Sequence, residues 1–488
     1  MTLRVLIVGG YGVFGGRLAQ LLRHDDNIEL LIAGRSLHRA RAFCRRYGGI
    51  PKHFDRDGPL IAQLHALGPQ VVVDAAGPFQ HYGSDPYRLA RAAVATGAHY
   101  LDLADDAAFV SGITALDAAA RTAQRTVLSG VSSVPALSSA AVEQLRRGLT
   151  RIEHIETVIL PGNRAPRGLS VVRAIVSQAG RPLAVWRGDV WRREPAWGAL
   201  EQVQLGAGTR QLAPRWASPI GAPDLQLFPA RYGARSVVFH AGLELGFLHL
   251  GLWLLAWLPR LRLLPSLSFT APLLRLAADL FKPWGEDRGG MRVTVIGENS
   301  GRRNEMRQWT LIAESGDGPF IPAIAAAAWL RQRARGVAPT PGARPCVGEL
   351  SLLQLMKALE PLAVTSEQLY TARPSLFERA LGEAWLELPT PLRTLHGAVQ
   401  AAEYVGEAVV ECGRHPVARL ARWLMRLPPA AASVPVRVSI TVADGAEHWQ
   451  RQFGPRRFAT TLRWRPASGR LVETFRLLGL PMRFELGL

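Results

Sequence analysis

Proton-carrying side chains gather along one stretch of this chain: Asp74, His81, Tyr82, His99, Tyr100, Asp102, Asp105 and Asp106. Hydride transfer calls for such a group, because a proton must be given or taken while the hydride moves. Tyr82 and His81 follow Gly77-Pro78-Phe79, and either could supply a proton. Tyr100 and Asp102 alternate with His99 and Leu101, so the two pairs face opposite sides of a strand. Tyr82, Tyr100 and Asp102 are the catalytic candidates. Each also has an ordinary reading as a core hydrogen bond, and Asp105, ahead of a helix at 106–110, reads as its N-cap. Other chemistries fit worse. The chain has no H-E-x-x-H, no clustered His/Cys set for a metal and no P-loop, so no metal site is expected. Ser132 in Gly130-Val131-Ser132-Ser133 lacks the second glycine of a nucleophile elbow.

These side chains need a scaffold, and its first part is legible. Leu3–Val8 is an apolar run that ends in Gly9-Gly10-Tyr11-Gly12-Val13-Phe14-Gly15-Gly16 and passes into a helical pattern with Leu18, Leu21 and Leu22 on one face. Gly10, Gly12 and Gly15 occupy the G-x-G-x-x-G places of a dinucleotide-binding turn, where a helix N-terminus offers free N–H groups to phosphates. A second strand, 28–34, leaves through Gly34-Arg35-Ser36. An acidic residue there would favour NAD, whereas Arg35 beside Ser36 suits the 2′-phosphate of NADP. Asp55, after a third strand, could approach the adenine. Gln70–Asp74 is a buried-type strand, and the small residues Ala76, Gly77 and Pro78 at its exit let the cofactor ribose and nicotinamide lie close to the backbone. The β-α alternation continues to 129 and implies a parallel Rossmann sheet of about six strands.

The 488 residues require two or three domains, and 48% hydrophobic content is ample for buried cores. The formal net charge of +19 suggests an anionic partner, but all basic residues except Lys52, Lys282 and Lys357 are arginines spread along the chain. No nucleic-acid motif accompanies them, so no nucleic-acid partner is expected. Cys44, Cys346 and Cys412 are far apart, which suits a reducing cytoplasm, and the N-terminus reads as a strand of a domain, not a signal peptide.

Gly9–Gly16, Ala33–Leu37, Val72–Phe79, Gly97–Leu103 and Ser129–Pro135 follow in an order that resembles the NADP-binding domain of the saccharopine dehydrogenase-like oxidoreductases. The resemblance implies cofactor contacts at Gly10, Gly12, Val13, Phe14, Arg35, Ser36, Ala76 and Gly77. It leaves the reaction open. Oxidative saccharopine-forming relatives use a lysine and a histidine, and this chain has no lysine near the Gly77 or Tyr100 exits. The expected function is therefore an NADPH-dependent oxidoreductase acting on a lipidic or amino-acid-derived small molecule. The alternative is a non-catalytic NADP-binding protein that docks at a membrane or partner.

The expected fold class is α/β in three parts. Residues 1–130 form a Rossmann doubly wound parallel sheet, and 131–365 a second α/β domain for substrate and dimerisation. Residues 366–488 form a C-terminal, mainly antiparallel α+β domain. Residues 336–345 read as a loop and 445–454 as a connection between strands. The tail resembles an uncharacterised domain often fused behind this family, whose sheet continues further, so the tail is expected to be incomplete. Within the middle domain, the apolar segment 237–281 has three competing readings: a membrane span, a hairpin lying on a membrane surface, or ordinary buried structure. The expected setting is cytoplasmic, with peripheral contact at the inner membrane face and a homodimer among the assemblies to be considered.

Overall fold

A computed structural model describes residues 2–166, 168–206, 211–413, 415–424, 428–477 and 480–486. β1 (Leu3–Val8) leads into α1 (Val13–Leu22). The alternation continues through β2 (Ile28–Gly34), α2 (Leu37–Tyr47), β3 (Ile50–His53), α3 (Leu60–Leu67), β4 (Val71–Asp74) and α4 (Arg88–Ala95). β5 (His99–Asp102), α5 (Ala107–Gly112), α6 (Asp117–Thr122) and β6 (Thr126–Ser129) complete the set. The strands pair in parallel in the order β6-β5-β4-β1-β2-β3. Every residue of β4 and β5 is buried, as a central strand covered by helices on both faces requires.

α7 (Ser138–Leu145) crosses into a second, mixed sheet. Its strands are β7 (Leu149–Leu160), β8 (Pro182–Arg187), β9 (Val190–Pro195), β10 (Glu201–Val203), β11 (Arg215–Pro219), β12 (Ser236–Gly242), β13 (Gly289–Asn299) and β14 (Asn304–Ala313). Between them lie α8 (Leu169–Gln178), α9 (Pro223–Tyr232), α10 (Gly246–Leu255), α11 (Trp257–Arg260) and α12 (Ala271–Leu280), and α13 (Ile321–Ala334) follows. The last residues of β7 alternate: Ile159 faces the first domain, while Val158 and Leu160 join a separate cluster on the far face.

Two expectations change here. The loop expected at 336–345 contains β15 (Gly342–Pro345), which pairs in parallel with β6 and makes the first sheet seven-stranded. A boundary at 365 would fall within β16 (Val364–Ala372), which follows α14 (Leu352–Leu359) and pairs along its whole length with β14. The chain between 321 and 359 therefore returns to the first domain. α13 packs on α1, and Arg331 bonds the Asp25 carboxylate and the Leu21 carbonyl at 3.0 and 2.7 Å.

The span reading of the apolar segment is not met. Residues 236–242 are a strand and 246–255 a ten-residue helix, and among the described residues no helix is long and apolar enough to cross a membrane. The C-terminal part contains α15 (Leu376–Leu381), α16 (Thr390–His396), β17 (Ala401–Val410), α17 (Pro416–Leu424) and β18 (Ala431–Ala443). β19 (Ala446–Phe453), β20 (Arg456–Arg465), β21 (Arg470–Leu477) and β22 (Leu480–Leu486) finish an antiparallel sheet in sequence order. The connection expected at 445–454 is thus itself a strand. Tyr404 ties this sheet to the second one by accepting from Arg235 at 3.2 Å.

Candidate functional site

The glycine turn is built by close approach. Gly9 takes φ +79°, and a Cβ there would lie 2.8 Å from the Ala75 carbonyl oxygen and the Ala76 Cα. A Cβ on Gly15 would stand 2.4 Å from the Gly9 carbonyl oxygen, so α1 can seat against the turn only without one. The left-handed residue of the turn is therefore Gly9, one place before the Gly10 assigned from the motif. Gly12 is the residue before α1, and Gly16 N–H makes the first backward bond, to the Gly12 carbonyl at 3.0 Å. The amides of Val13, Phe14 and Gly15 therefore point out of the helix end, as a phosphate site needs.

At the exit of β2, Arg35 is exposed and makes no ion pair among the described residues. The Ser36 hydroxyl caps α2 by accepting from Arg39 N–H at 3.3 Å. Tyr11, passed over in the motif, closes this corner: its hydroxyl accepts from Ser36 N–H at 3.0 Å, and the Arg39 guanidinium lies 5.1 Å from its ring centre. Two arginines, Arg35 and Arg39, thus stand at the β2 exit. Asp55 lies in the turn after β3, its carboxylate accepting from Asp57 N–H at 3.0 Å.

The catalytic candidates do not gather in the cleft. The Tyr82 hydroxyl folds back onto Asp74 at 3.1 and 3.2 Å, with the Arg56 guanidinium 3.1 Å from its ring centre. Burial, then the Asp74 charge, pushes its hydroxyl pKa far above the usual range. Tyr100 is fully buried in the core, its hydroxyl 3.5 Å from Asp74, and its pKa also rises through burial. Asp74 accepts from Ala76 N–H at 3.1 Å, which fixes the start of the Ala76-Gly77-Pro78 exit. Asp102 is buried and holds two strand exits together: one oxygen accepts from Ala104 N–H, Ser129 Oγ and Gly130 N–H at 3.1, 2.9 and 2.8 Å. Burial pushes its carboxyl up to about 7. His99 accepts from Thr126 N–H at 3.0 Å and is likewise part of the core, whereas His81 is exposed.

The sequence reading of the neighbouring acids is corrected by one residue. Asp106, not Asp105, caps α5, accepting from Phe109 N–H at 2.8 Å. Asp105 is thereby free to face a cavity of about 330 Å³ between the carboxyl ends of the first sheet and the inner face of the second. Solvent reaches Asp105 at the cavity mouth, yet the protein around it is dense enough to push its carboxyl above the usual carboxylate range, with Gln80 hydrogen bonding in opposition. Phe14 from the glycine turn and Ser132 and Ser133 from the β6 exit line the same cavity. From the other side come Ile175 of α8 and Phe239 of β12, so most of the wall is apolar. Neither Tyr82, Tyr100 nor Asp102 reaches it.

Among the described residues, one group has metal-ligand spacing, Glu156, Glu201 and His240. Arg292 already neutralises Glu156 at 3.0 Å, and the group lies on the far face of the second sheet.

Residues 5–128 match the family model of the saccharopine dehydrogenase NADP binding domain, and 388–488 match a domain of unknown function, DUF4166. No curated protein matches the chain. Among solved structures, the fold is similar to apo saccharopine dehydrogenase (L-Glu forming) from Saccharomyces cerevisiae. The TM-score is 0.53 and the identity 15%, over 75% of this chain and 99% of that one. Biliverdin reductase from Synechocystis, solved with biliverdin and NADP+, is similar at TM-score 0.33 and 14% identity, over 73% of this chain and 96% of that one.

Proposed function

We infer that this chain, which carries a saccharopine dehydrogenase-like nicotinamide-dinucleotide-binding domain at 5–128, is an NADP-dependent oxidoreductase acting on a small apolar molecule. The observation that carries the reading is the placement of the cavity. It opens against Phe14 of the phosphate-binding turn and the exits of β5 and β6, where ligands of doubly wound sheets bind, and its far wall is supplied by a second domain. The residues fit the cofactor: the bare amides of α1 would hold a pyrophosphate, the Gly9–Ala76 approach leaves the backbone open, and Arg35 with Arg39 would pair with a 2′-phosphate. When bound, the nicotinamide supplies hydride chemistry.

The protein's own residues supply the rest. The cavity walls around the reacting carbon are apolar, and Asp105, whose carboxyl reaches the cavity, is the group placed to pass a proton to an oxygen, nitrogen or carbon of the substrate as it is reduced. Asp102 acts as a positioning residue, through Ser129 and the amides of Ala104 and Gly130, which fix the two lips carrying Asp105 and Ser132. The test is fluorescence titration with NADPH and NADH, then NADPH oxidation across a panel of apolar carbonyl, imine and enoyl compounds. Preference for NADH overturns the cofactor assignment. Tight NADPH binding with no turnover on any member favours a non-catalytic NADP-binding protein.

A further inference from the structure

Nine large apolar side chains between residues 247 and 284 stand more than half exposed, from Phe247 to Trp284. They are ordered. Leu273, Leu276 and Leu280 form one stripe along α12, each about two-thirds exposed, while Ala271 is buried and the helix packs against α8. α10 presents Phe247 and Leu254 two turns apart. Phe281 joins the two helices, its ring 4.9 Å from Phe247 and 5.2 Å from Trp284.

Water is a poor solvent for such a face, and something of matching chemistry must cover it. Helices of ten residues are too short to span a bilayer but suited to lie in its interface. The edge of the face carries Arg260, Arg262, Arg275 and Lys282 against a single acid, Asp279, and Arg260 lies 4.3 Å from the ring centre of Trp257. Tryptophan and arginine at the border of an apolar face match the headgroup level of an anionic leaflet. A second copy of this chain is a poorer occupant, since each copy brings a formal charge of +19.

We propose that the face formed by α10, α11 and α12 docks on an anionic lipid bilayer. The docked segment hangs from the rim of the cavity: Leu243 and Asp287, on either side of it, both line that cavity. Glu244 clasps its ends, accepting from Glu286 N–H at 2.8 Å and from Asn163 N–H. Docking therefore sets the apolar cavity beside a phase that dissolves apolar molecules. The docking rests on this surface and not on hydride transfer, so either reading can fail alone.

The test is flotation of the full chain with vesicles of equal phosphatidylcholine and phosphatidylglycerol, against phosphatidylcholine alone. Partitioning should be at least about tenfold stronger on the anionic vesicles and should weaken in high salt. The set Leu273→Asp, Leu276→Asp, Leu280→Asp should abolish flotation while leaving NADPH affinity unchanged. The set Arg260→Gln, Arg262→Gln, Arg275→Gln should remove the anionic preference. No flotation of the wild type, or equal flotation of wild type and aspartate set, overturns the proposal. So does a wild-type dimer that ignores vesicles and becomes monomeric in the aspartate set. Should the aspartate set misfold, the arginine set decides, and an unchanged anionic preference overturns it.

Discussion

Asp105 and Asp106 are neighbours of one type with different tasks, and a hydrogen bond separates them. Asp106 is fixed to Phe109 N–H, while Asp105 faces the cavity, its carboxyl pushed up by the dense protein around it although solvent reaches it. Asp105→Asn should therefore lower turnover by about a hundredfold or more while leaving NADPH affinity within about twofold, measured on the first substrate the panel yields. Equal losses of turnover and cofactor binding would show that Asp105 only shapes the cleft. Arg35 has no partner among the described residues that Asp would disrupt, so Arg35→Asp should weaken NADPH by about tenfold or more and spare NADH, read by titration of protein fluorescence. The position of Arg35 at the β2 exit was legible because strand and turn are local in sequence. The cap of α5 was not, since which of two adjacent acids caps a helix depends on where that helix buries Phe109 and Val110.

At the scale of elements, the junction of β1 and α1 is held by backbone contact, which side-chain substitution cannot relieve. Gly15→Ala would place its Cβ 2.4 Å from the Gly9 carbonyl oxygen, so α1 must shift away. NADPH affinity should fall by about tenfold or more, with a stability loss of roughly 1–3 kcal/mol in denaturant unfolding. Asp106→Ala removes the α5 cap and should cost about 1 kcal/mol by the same measurement. The period and composition of these elements were legible: the valine run of β4 and the glycine turn appear where expected. β15 was not, because Gly342-Ala343-Arg344-Pro345 has no strand-like composition. It is a strand because β6 offers it an open edge.

Across the whole molecule, buried carboxyls make stability depend on pH. Asp102 and Asp224 both rise from 3.8 to about 7, chiefly through burial. Asp224 is held by Ser138 and Thr157 at 3.0 and 3.1 Å between α7, α9 and β7. A carboxyl whose folded pKa is raised keeps a proton that the unfolded chain releases. Its contribution to stability is thus lost as pH rises from about 4 to about 7 and is constant above. Asp224→Asn removes that dependence, so its Tm relative to wild type should climb between about pH 4 and about pH 7 and then level off. A difference independent of pH would show that Asp224 is charged in the fold. Asp224 stands in the first turn of α9, on the face the helix buries.

The sequence by itself determined the six strands β1 to β6 of the first sheet and the glycine turn between β1 and α1. Each depends on residues within a single strand-turn-helix unit, where spacing and geometry coincide. The cavity between the two sheets was decided only by tertiary structure. Its walls come from residues separated by more than 200 positions, and Tyr82, Tyr100 and Asp102 are taken up by hydrogen bonds away from it while Asp105 lines it. The same holds for the apolar segment. Its composition fits a membrane span, a surface hairpin or a core, and only the breaks after residues 242 and 255 and the packing of α12 on α8 made it a short-helix surface.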